Sequence, residues 1–217
     1  MPTETFLNLA DEKRQAFIET ALKEFADNNY DSASINKIIK ELNIARGSVY
    51  QYFTDKLDLW LYLKEYAELQ KIKYIQSIDR NQYPDFWTYY EELFAKGIHF
   101  EMEQPTCSRF LYRIGYKESS KDVAGYIDQW KMKAKEIFTM WVDDEKKNGF
   151  INKIIRTEIA VQFILSMSSS IGELIQTKYA KAIERNFANE KPLFAESKEE
   201  YEILVKELIQ LLKKALT

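Results

Sequence analysis

The sequence contains very few residues that can turn or stop a chain: 6 Gly and 4 Pro among 217 residues. In an average protein, roughly 7% of the residues are Gly and roughly 5% are Pro. Sheets and barrels need turn residues about every 8–12 positions. Between Pro2 and Pro84 there is no proline, and Gly47 is the one glycine. We therefore predict an all-α fold.

Composition excludes several classes of site. One Cys cannot supply a disulfide framework, a Cys-rich zinc site or an iron–sulfur cluster. One His cannot supply a site with two imidazoles, and a di-iron bundle needs paired Glu-x-x-His motifs, whereas Lys96 stands three residues before His99. A serine hydrolase would depend on His99 alone, without a nucleophile elbow. We expect no enzyme, no metal and no cofactor, with His99 in a polar core or pocket lining and Cys107 as a small buried residue.

No secretory or membrane signal is expected. The first six residues have neither a basic nor an apolar region. The most apolar stretch, 159–175, is interrupted by Gln162, Glu173 and several serines, and it is shorter than the ~20 apolar residues that span a bilayer. We expect a cytoplasmic protein without membrane contact.

Apolar residues recur at helical spacing along most of the chain. Asn28-Asn29 and Asn43 are expected to stop helices in the left-handed conformation, and Ser34 to cap one. The pattern predicts about nine helices: 11–28, 35–42, 46–53, 56–79, 85–103, 106–118, a seventh that carries 123–141 and ends at Gly149, 157–182, and 198–216.

Residues 34–56 read as a helix-turn-helix, in which a first helix crosses the phosphate backbone and a second enters the major groove. Val49 and Phe53 lie four residues apart and are expected to pack inward. Arg can bind a guanine edge and Gln an adenine edge. The outward-facing residues of the second helix are then Arg46, Ser48, Tyr50, Gln51 and Tyr52.

Basic residues outnumber acidic ones locally. This segment has four Lys or Arg residues against two acids, in a chain whose net charge is −3. Gly47 lets the helix N-terminus approach a phosphate. The predicted partner is double-stranded operator DNA, and the candidate contacts are Ser34, Lys37, Arg46, Gly47, Ser48, Tyr50, Gln51, Tyr52, Thr54 and Lys56.

Residues 11–60 resemble the DNA-binding domain of the TetR family of bacterial transcriptional regulators. The matching runs are Ala21-Leu-Lys-Glu-Phe25, Ser34-Ile-Asn-Lys-Ile38, Gly47-Ser-Val-Tyr50, Tyr52-Phe53 and Lys56-Leu-Asp-Leu59. The resemblance implies an N-terminal three-helix helix-turn-helix domain, 1–56, and a C-terminal helical ligand-binding and dimerisation domain, 57–217. It implies a repressor that a small molecule releases from its operator. The alternative is a DNA-binding regulator whose C-terminal domain binds a protein partner.

The chain departs from the family pattern at three positions. Asn29 and Asn43 stand where the family usually has Gly, and we interpret them as left-handed substitutes. Ala45 replaces the usual Ser or Thr cap, a loss of roughly 0.5–2 kcal/mol in isolation. Residues 1–10 contain no Lys or Arg, so a basic arm in the minor groove is not expected.

The C-terminal part is rich in aromatic residues from position 86 to position 130, which favours a pocket with a polar lining. Arg113 is either a structural ion pair or an anchor for an anionic ligand, and the sequence does not separate the two. Predicted helices eight and nine carry apolar stripes and are expected to form a homodimer. The candidate contacts for an unknown small-molecule effector are Tyr90, Phe94, Arg113, Tyr126, Trp130 and Met167.

Overall fold

The computed structural model describes all 217 residues and contains helices only. The all-α prediction is confirmed. Two short 3-10 helices, Arg80–Gln82 and Ala195–Ser197, accompany ten α-helices. The α-helices are α1 (Glu4–Leu7), α2 (Asp11–Asp27), α3 (Ile35–Leu42), α4 (Arg46–Tyr52), α5 (Lys56–Ile75), α6 (Phe86–Glu103), α7 (Pro105–Tyr116), α8 (Lys121–Lys147), α9 (Thr157–Ala188) and α10 (Lys198–Leu216).

The nine predicted helices correspond to α2–α10. The count missed α1, because a helix of four residues has no periodicity to detect. Its Phe6 is fully buried. Helix α9 extends to Ala188 and is interrupted at Tyr179, whose backbone angles are φ −112° and ψ 21°.

Left-handed helix stops were predicted at Asn29 and at Asn43, and only Asn43 adopts one. Asn43 is left-handed, with φ 50° and ψ 44°. Asn28 is extended, and the non-glycine residues with positive φ are Asn43 and Glu190, so the expectation of a left-handed Asn29 is wrong. The Asn28 side-chain amide instead donates to the Glu24 carbonyl at 3.0 Å, and Asn29 Oδ1 accepts from the Ser32 N–H at 3.1 Å. These side-chain hydrogen bonds replace a left-handed turn.

The chain forms two compact units. The first contains Met1–Lys73 and Gln104–Ile127, and the second contains Tyr74–Glu103 and Asp128–Thr217. Most of α5 and all of α7 belong to the first unit, where they bury large side chains. Trp60 lies 6.2 Å from Phe110, ring centroid to ring centroid, and Phe25 lies 6.4 Å from Phe110.

Helices α6, α9 and α10 pack together in the second unit. The Arg80 guanidinium donates to both carboxylate oxygens of Glu145, at 2.7 and 2.9 Å. Lys213 of α10 forms an ion pair of 2.8 Å with Asp85, just before α6. These contacts hold the ends of the unit's helices together.

Helix α9 is long and apolar enough to cross a membrane by length and composition alone. The mean hydropathy of its most apolar 18 residues is 1.2, and 28% of that window is buried within the chain. Core helices of soluble proteins pass the same test, so the observation is weak evidence for a membrane. Two large apolar residues of α9, Ile159 and Leu174, are exposed in the chain.

Candidate nucleic-acid interface

Helix α4 has one buried and one exposed side, as the sequence predicts. Val49 is 2% exposed, and Phe53, directly after the helix, is 1% exposed. Arg46 and Gln51 are exposed, Tyr50 is 54% exposed, and Ser48 is half-buried. The helix therefore presents Arg, Tyr and Gln side chains that can reach base edges.

The sequence predicts that Tyr52 faces outward, and the structure differs from this prediction. The side chain is half-buried, and its ring centroid lies 5.6 Å from that of Phe6 and 5.7 Å from that of Phe17. Aromatic packing of this kind holds the ring in the core of the unit. Only part of the side chain is left for a contact with DNA.

Helix α1 closes the C-terminal end of α4. The Thr3 N–H donates to the Tyr52 carbonyl at 3.0 Å, and the Thr3 hydroxyl donates to the Gln51 carbonyl at 2.6 Å. These bonds satisfy carbonyls that a helix end leaves free. This cap could not be predicted from the sequence, because α1 is too short to show a periodic pattern.

The N-terminal end of α4 is open. Ala45 precedes it without a side-chain cap, as predicted. A Cβ atom added at Gly47 would meet nothing within 4 Å. The first turn of α4 can therefore be approached closely by a phosphate, where its N–H groups favour an anion.

Two of the predicted phosphate contacts have partners within the protein. Lys37 forms an ion pair of 2.7 Å with the buried Glu24. The Lys56 ammonium donates to the Asp31 carbonyl at 3.2 Å and lies 4.8 Å from the centroid of the Tyr30 ring, and burial lowers the pKa of Lys56. Arg46 is left as an exposed cation on α4 itself.

Glu24 organises the start of the helix-turn-helix, which the sequence analysis missed. Its carboxylate accepts from the Ser34 N–H at 2.9 Å and from the Asn28 amide at 3.1 Å. The Ser34 hydroxyl caps α3 by accepting from the Lys37 N–H at 3.4 Å, so the predicted cap is confirmed. A glutamate in an amphipathic helix normally faces solvent, so the burial of Glu24 could not be predicted from its position.

Thr54 and Asp55 share the turn between α4 and α5. Asp55 caps α5 by accepting from the Asp58 N–H at 2.8 Å. The Thr54 N–H donates to Asp58 at 3.1 Å, and the Thr54 side chain is exposed. Thr54 therefore stays available as a contact.

The candidate effector contacts are divided between the two units. Tyr90, Phe94, Trp130 and Met167 belong to the second unit, whereas Arg113 and Tyr126 belong to the first.

Among the residues of the second unit, Tyr90 is 3% exposed. Its hydroxyl forms a hydrogen bond of 2.8 Å with the Ser168 hydroxyl, and burial raises the pKa of Tyr90 to about 12. Phe94, Trp130 and Met167 are half-buried.

Arg113 donates to the Ala26 carbonyl and, at 2.9 Å, to the Asp27 carbonyl at the end of α2. Of the two alternatives for this residue, these bonds favour the structural one. Tyr126, by contrast, is 38% exposed.

The single His and the single Cys belong to different units. His99 is exposed and hydrogen-bonds Glu103 at 2.7 Å, so the expectation of a polar core or pocket lining is wrong. Cys107 is buried as expected, and burial raises the pKa of its thiol to about 11. A thiol of this kind is a poor nucleophile. The structure contains no group of three His, Cys, Asp or Glu residues that could hold a metal ion.

The DNA-binding segment matches a known family of proteins. The family model described as bacterial regulatory proteins of the tetR family matches residues 17–63. A TetR family transcriptional regulator from Chloroflexus aurantiacus has a similar structure over 100% of this chain and 98% of its own, with a TM-score of 0.77 and 27% identity. Residues 17–63 are therefore a DNA-binding domain of the TetR family, as the sequence predicts.

The curated relatives are HTH-type transcriptional regulators that match a short part of this chain. The YuxN regulator of Bacillus subtilis is 46% identical over 55 residues, which is 25% of this chain and 19% of the relative. An HTH-type regulator of Staphylococcus aureus is 43% identical over 54 residues, 25% of this chain and 29% of the relative. Both alignments leave most of the chain and most of the relative unmatched.

The C-terminal part has similarity at the level of fold. The regulator FadR from Bacillus subtilis, solved in complex with stearoyl-CoA, has a TM-score of 0.67 at 16% identity, over 94% of this chain and 99% of its own. The nine-helix plan read from the sequence is thus a TetR-family architecture preceded by the short α1.

Proposed function

We propose that this protein is a ligand-responsive, DNA-binding transcriptional regulator of the TetR family, and that it represses genes until a small molecule releases it. The observation that supports this most is α4: a short helix with a buried side at Val49, exposed Arg46, Tyr50 and Gln51, and an open N-terminus. This is the arrangement that reads a major groove. The protein acts in the cytoplasm and is not an enzyme.

In the proposed complex, Arg46 and Gln51 contact bases and Tyr50 contacts a base or the backbone. Gly47, Ser48 and Thr54 border phosphates at the two ends of α4. Ser34 and Lys37 lie at the start of α3, which crosses the backbone, and Tyr52 and Lys56 contribute mainly by supporting the fold. Because Lys37 and Lys56 have partners within the protein, the proposal gives the main charged contact to the exposed Arg46.

The test begins with selection of a duplex from a random library by the wild-type protein. Arg46→Ala is then expected to cost about 1–3 kcal/mol on the selected duplex and to relax sequence preference. Lys135→Ala, which removes an exposed charge from α8, is the matched control and should bind like the wild type. Failure of the wild type to enrich any sequence would refute the proposed function.

We also propose a homodimer through α9 and α10, the predicted helices eight and nine. Ile159 and Leu174 of α9 are 59% and 54% exposed, and Ile203 and Leu211 of α10 are 54% and 57% exposed. Exposed apolar side chains at this density are typical of a protein interface.

For the effector, we propose a molecule with a long apolar part. Helix α8 carries the exposed Met132, Ile137 and Met140 beside the half-buried Trp130 and Phe138, and the FadR relative was solved with stearoyl-CoA. Titration with stearoyl-CoA, with coenzyme A as the control, should raise the melting temperature only for the acylated compound. If neither compound binds, a protein partner becomes the better account of regulation.

A further inference from the structure

The loop between α2 and α3, residues 28–34, is held by residues from far along the chain. The Glu118 carboxylate, between α7 and α8, accepts from the Tyr30 N–H at 2.9 Å. The Ser120 hydroxyl donates to Asp31 Oδ1 at 2.6 Å. All of these residues belong to the first compact unit. We call Glu118, Ser119 and Ser120 the α7–α8 corner.

Hydrogen bonds within the corner also hold its own backbone in place. The second oxygen of Glu118 accepts from the Ser119 and Ser120 N–H groups, each at 2.9 Å. One carboxylate thus joins the start of α8 to the α2–α3 loop through three backbone N–H groups. Hydrogen bonds to a charged group contribute more than neutral ones, and Ser120 is only 3% exposed.

Helix α7 also holds the end of α2. Arg113 donates to the carbonyls of Ala26 and Asp27, and the buried Arg109 forms an ion pair with Asp27. Carbonyls at a helix C-terminus carry partial negative charge, so cations are favoured there. The segment that leads into α3 is therefore fixed at its beginning by α7 and at Tyr30 and Asp31 by the corner.

We propose that the α7–α8 corner, which lies outside the helix-turn-helix, positions α3 for DNA, with Ser120 and Glu118 as positioning residues. The inference rests on the proposed function. Helix α3 starts four residues after Asp31, and it must cross the phosphate backbone while α4 enters the groove. If the loop is freed, α3 is correctly placed in a smaller fraction of the molecules. The apparent affinity for DNA falls in proportion to that fraction.

The sharpest test compares two substitutions of the exposed Asp31. Asp31→Asn keeps an acceptor oxygen for the Ser120 hydroxyl, whereas Asp31→Ala removes it. Both remove the same negative charge, so any electrostatic gain in DNA binding is common to the two. On the duplex selected by the wild type, the Ala variant is expected to bind roughly three- to tenfold more weakly than the Asn variant.

A double-mutant cycle assigns the effect to the pair. In a chain that has Asp31, Ser120→Ala should weaken DNA binding about as much as the difference between the two Asp31 variants. In a chain that already carries Asp31→Ala, it should weaken binding little further. Equal affinity of the two Asp31 variants, tighter binding by the Ala variant, or fully additive losses would each overturn the inference.

Two controls separate positioning from general destabilisation. Gln15→Ala removes a hydrogen bond of 3.2 Å to the Tyr66 hydroxyl in the same unit and should leave affinity unchanged. Thermal melting of every variant must show a folded protein at the assay temperature. A folded Asp31→Ala variant that melts lower but binds like Asp31→Asn would show that the corner only stabilises the fold, which contradicts the inference. A wild type that selects no duplex refutes the proposed function instead.

Discussion

At the scale of single residues, Glu101 shows how the fold changes a side chain's chemistry. It is 3% exposed, one carboxylate oxygen accepts from the Phe194 N–H at 3.3 Å, and the other has no partner. Burial raises the pKa of Glu101 to about 7, although backbone hydrogen bonds from Phe194 and Leu193 lower it in part. The buried carboxyl therefore carries a proton through the acidic range.

We expect Glu101→Gln to change how stability depends on pH. The folded chain holds this proton more tightly than the unfolded chain, so its contribution is complete below about pH 4.5 and is lost as pH rises to about 7. The Gln variant cannot ionise. The difference in free energy of unfolding, variant minus wild type, should therefore be roughly 2–3 kcal/mol larger at pH 8 than at pH 4. Urea unfolding at both pH values measures this difference, and a constant difference between the two proteins would contradict it.

The sequence predicted residue roles well where periodicity decides them and poorly where a distant partner decides them. Val49 and Phe53 were identified as buried because their spacing fits one helix face. The sequence predicts a phosphate contact for Lys56 and leaves Arg113 open between an ion pair and a ligand anchor. Their partners, the Asp31 and Ala26 carbonyls, are 25 and 87 residues away in sequence. A cation on a helix does not reveal which backbone oxygen it will meet.

At the scale of elements, helix bounds followed from caps and stops. Ser34 and Asn43 delimit α3 as predicted, and Pro105 begins α7. Helix α1 was not predictable because it depends on the tertiary contact of Phe6 with Phe53. The extended Asn28 depends on side-chain hydrogen bonds to Glu24, four residues earlier, which compete with a left-handed turn.

Asn43 gives a test of the turn inside the helix-turn-helix. Its φ of 50° is strained for a residue with a Cβ and free of cost for glycine. Asn43→Ala should lower the free energy of unfolding by about 1 kcal/mol. Asn43→Gly should lie within about 0.5 kcal/mol of the wild type. Chemical denaturation of the two variants side by side decides the point, and equal stabilities would argue against a strained turn.

At the scale of the whole molecule, the fold class could be predicted from the sequence, whereas the packing of α7 against α2 could not. The scarcity of turn residues and nine periodic segments were enough for the fold class. The assignment of α7 to the first unit depends on Phe110 packing against Phe25 and Trp60. Long-range aromatic pairing of this kind leaves no local signal.

The proposed dimer predicts which substitutions separate the protomers. Leu208 is 5% exposed and belongs to the protomer's own core, so it is unsuitable as a probe, whereas Ile203 and Leu211 are exposed. Changing Ile203 and Leu211 together to Asp should give a folded monomer that no longer binds operator tightly. Ile154→Asp, at a residue 90% exposed outside α9 and α10, is the control and should remain a dimer. Sedimentation at micromolar concentration distinguishes them, and a monomeric wild type would refute the interface.

The central claim is that two copies of α4 read DNA together. Hydroxyl-radical footprinting of the wild-type protein on its selected duplex tests it most directly. We predict two symmetric protected half-sites with centres about one helical turn, roughly 34–36 Å, apart. Protection of a single half-site, or uniform protection without a selected sequence, would contradict the account.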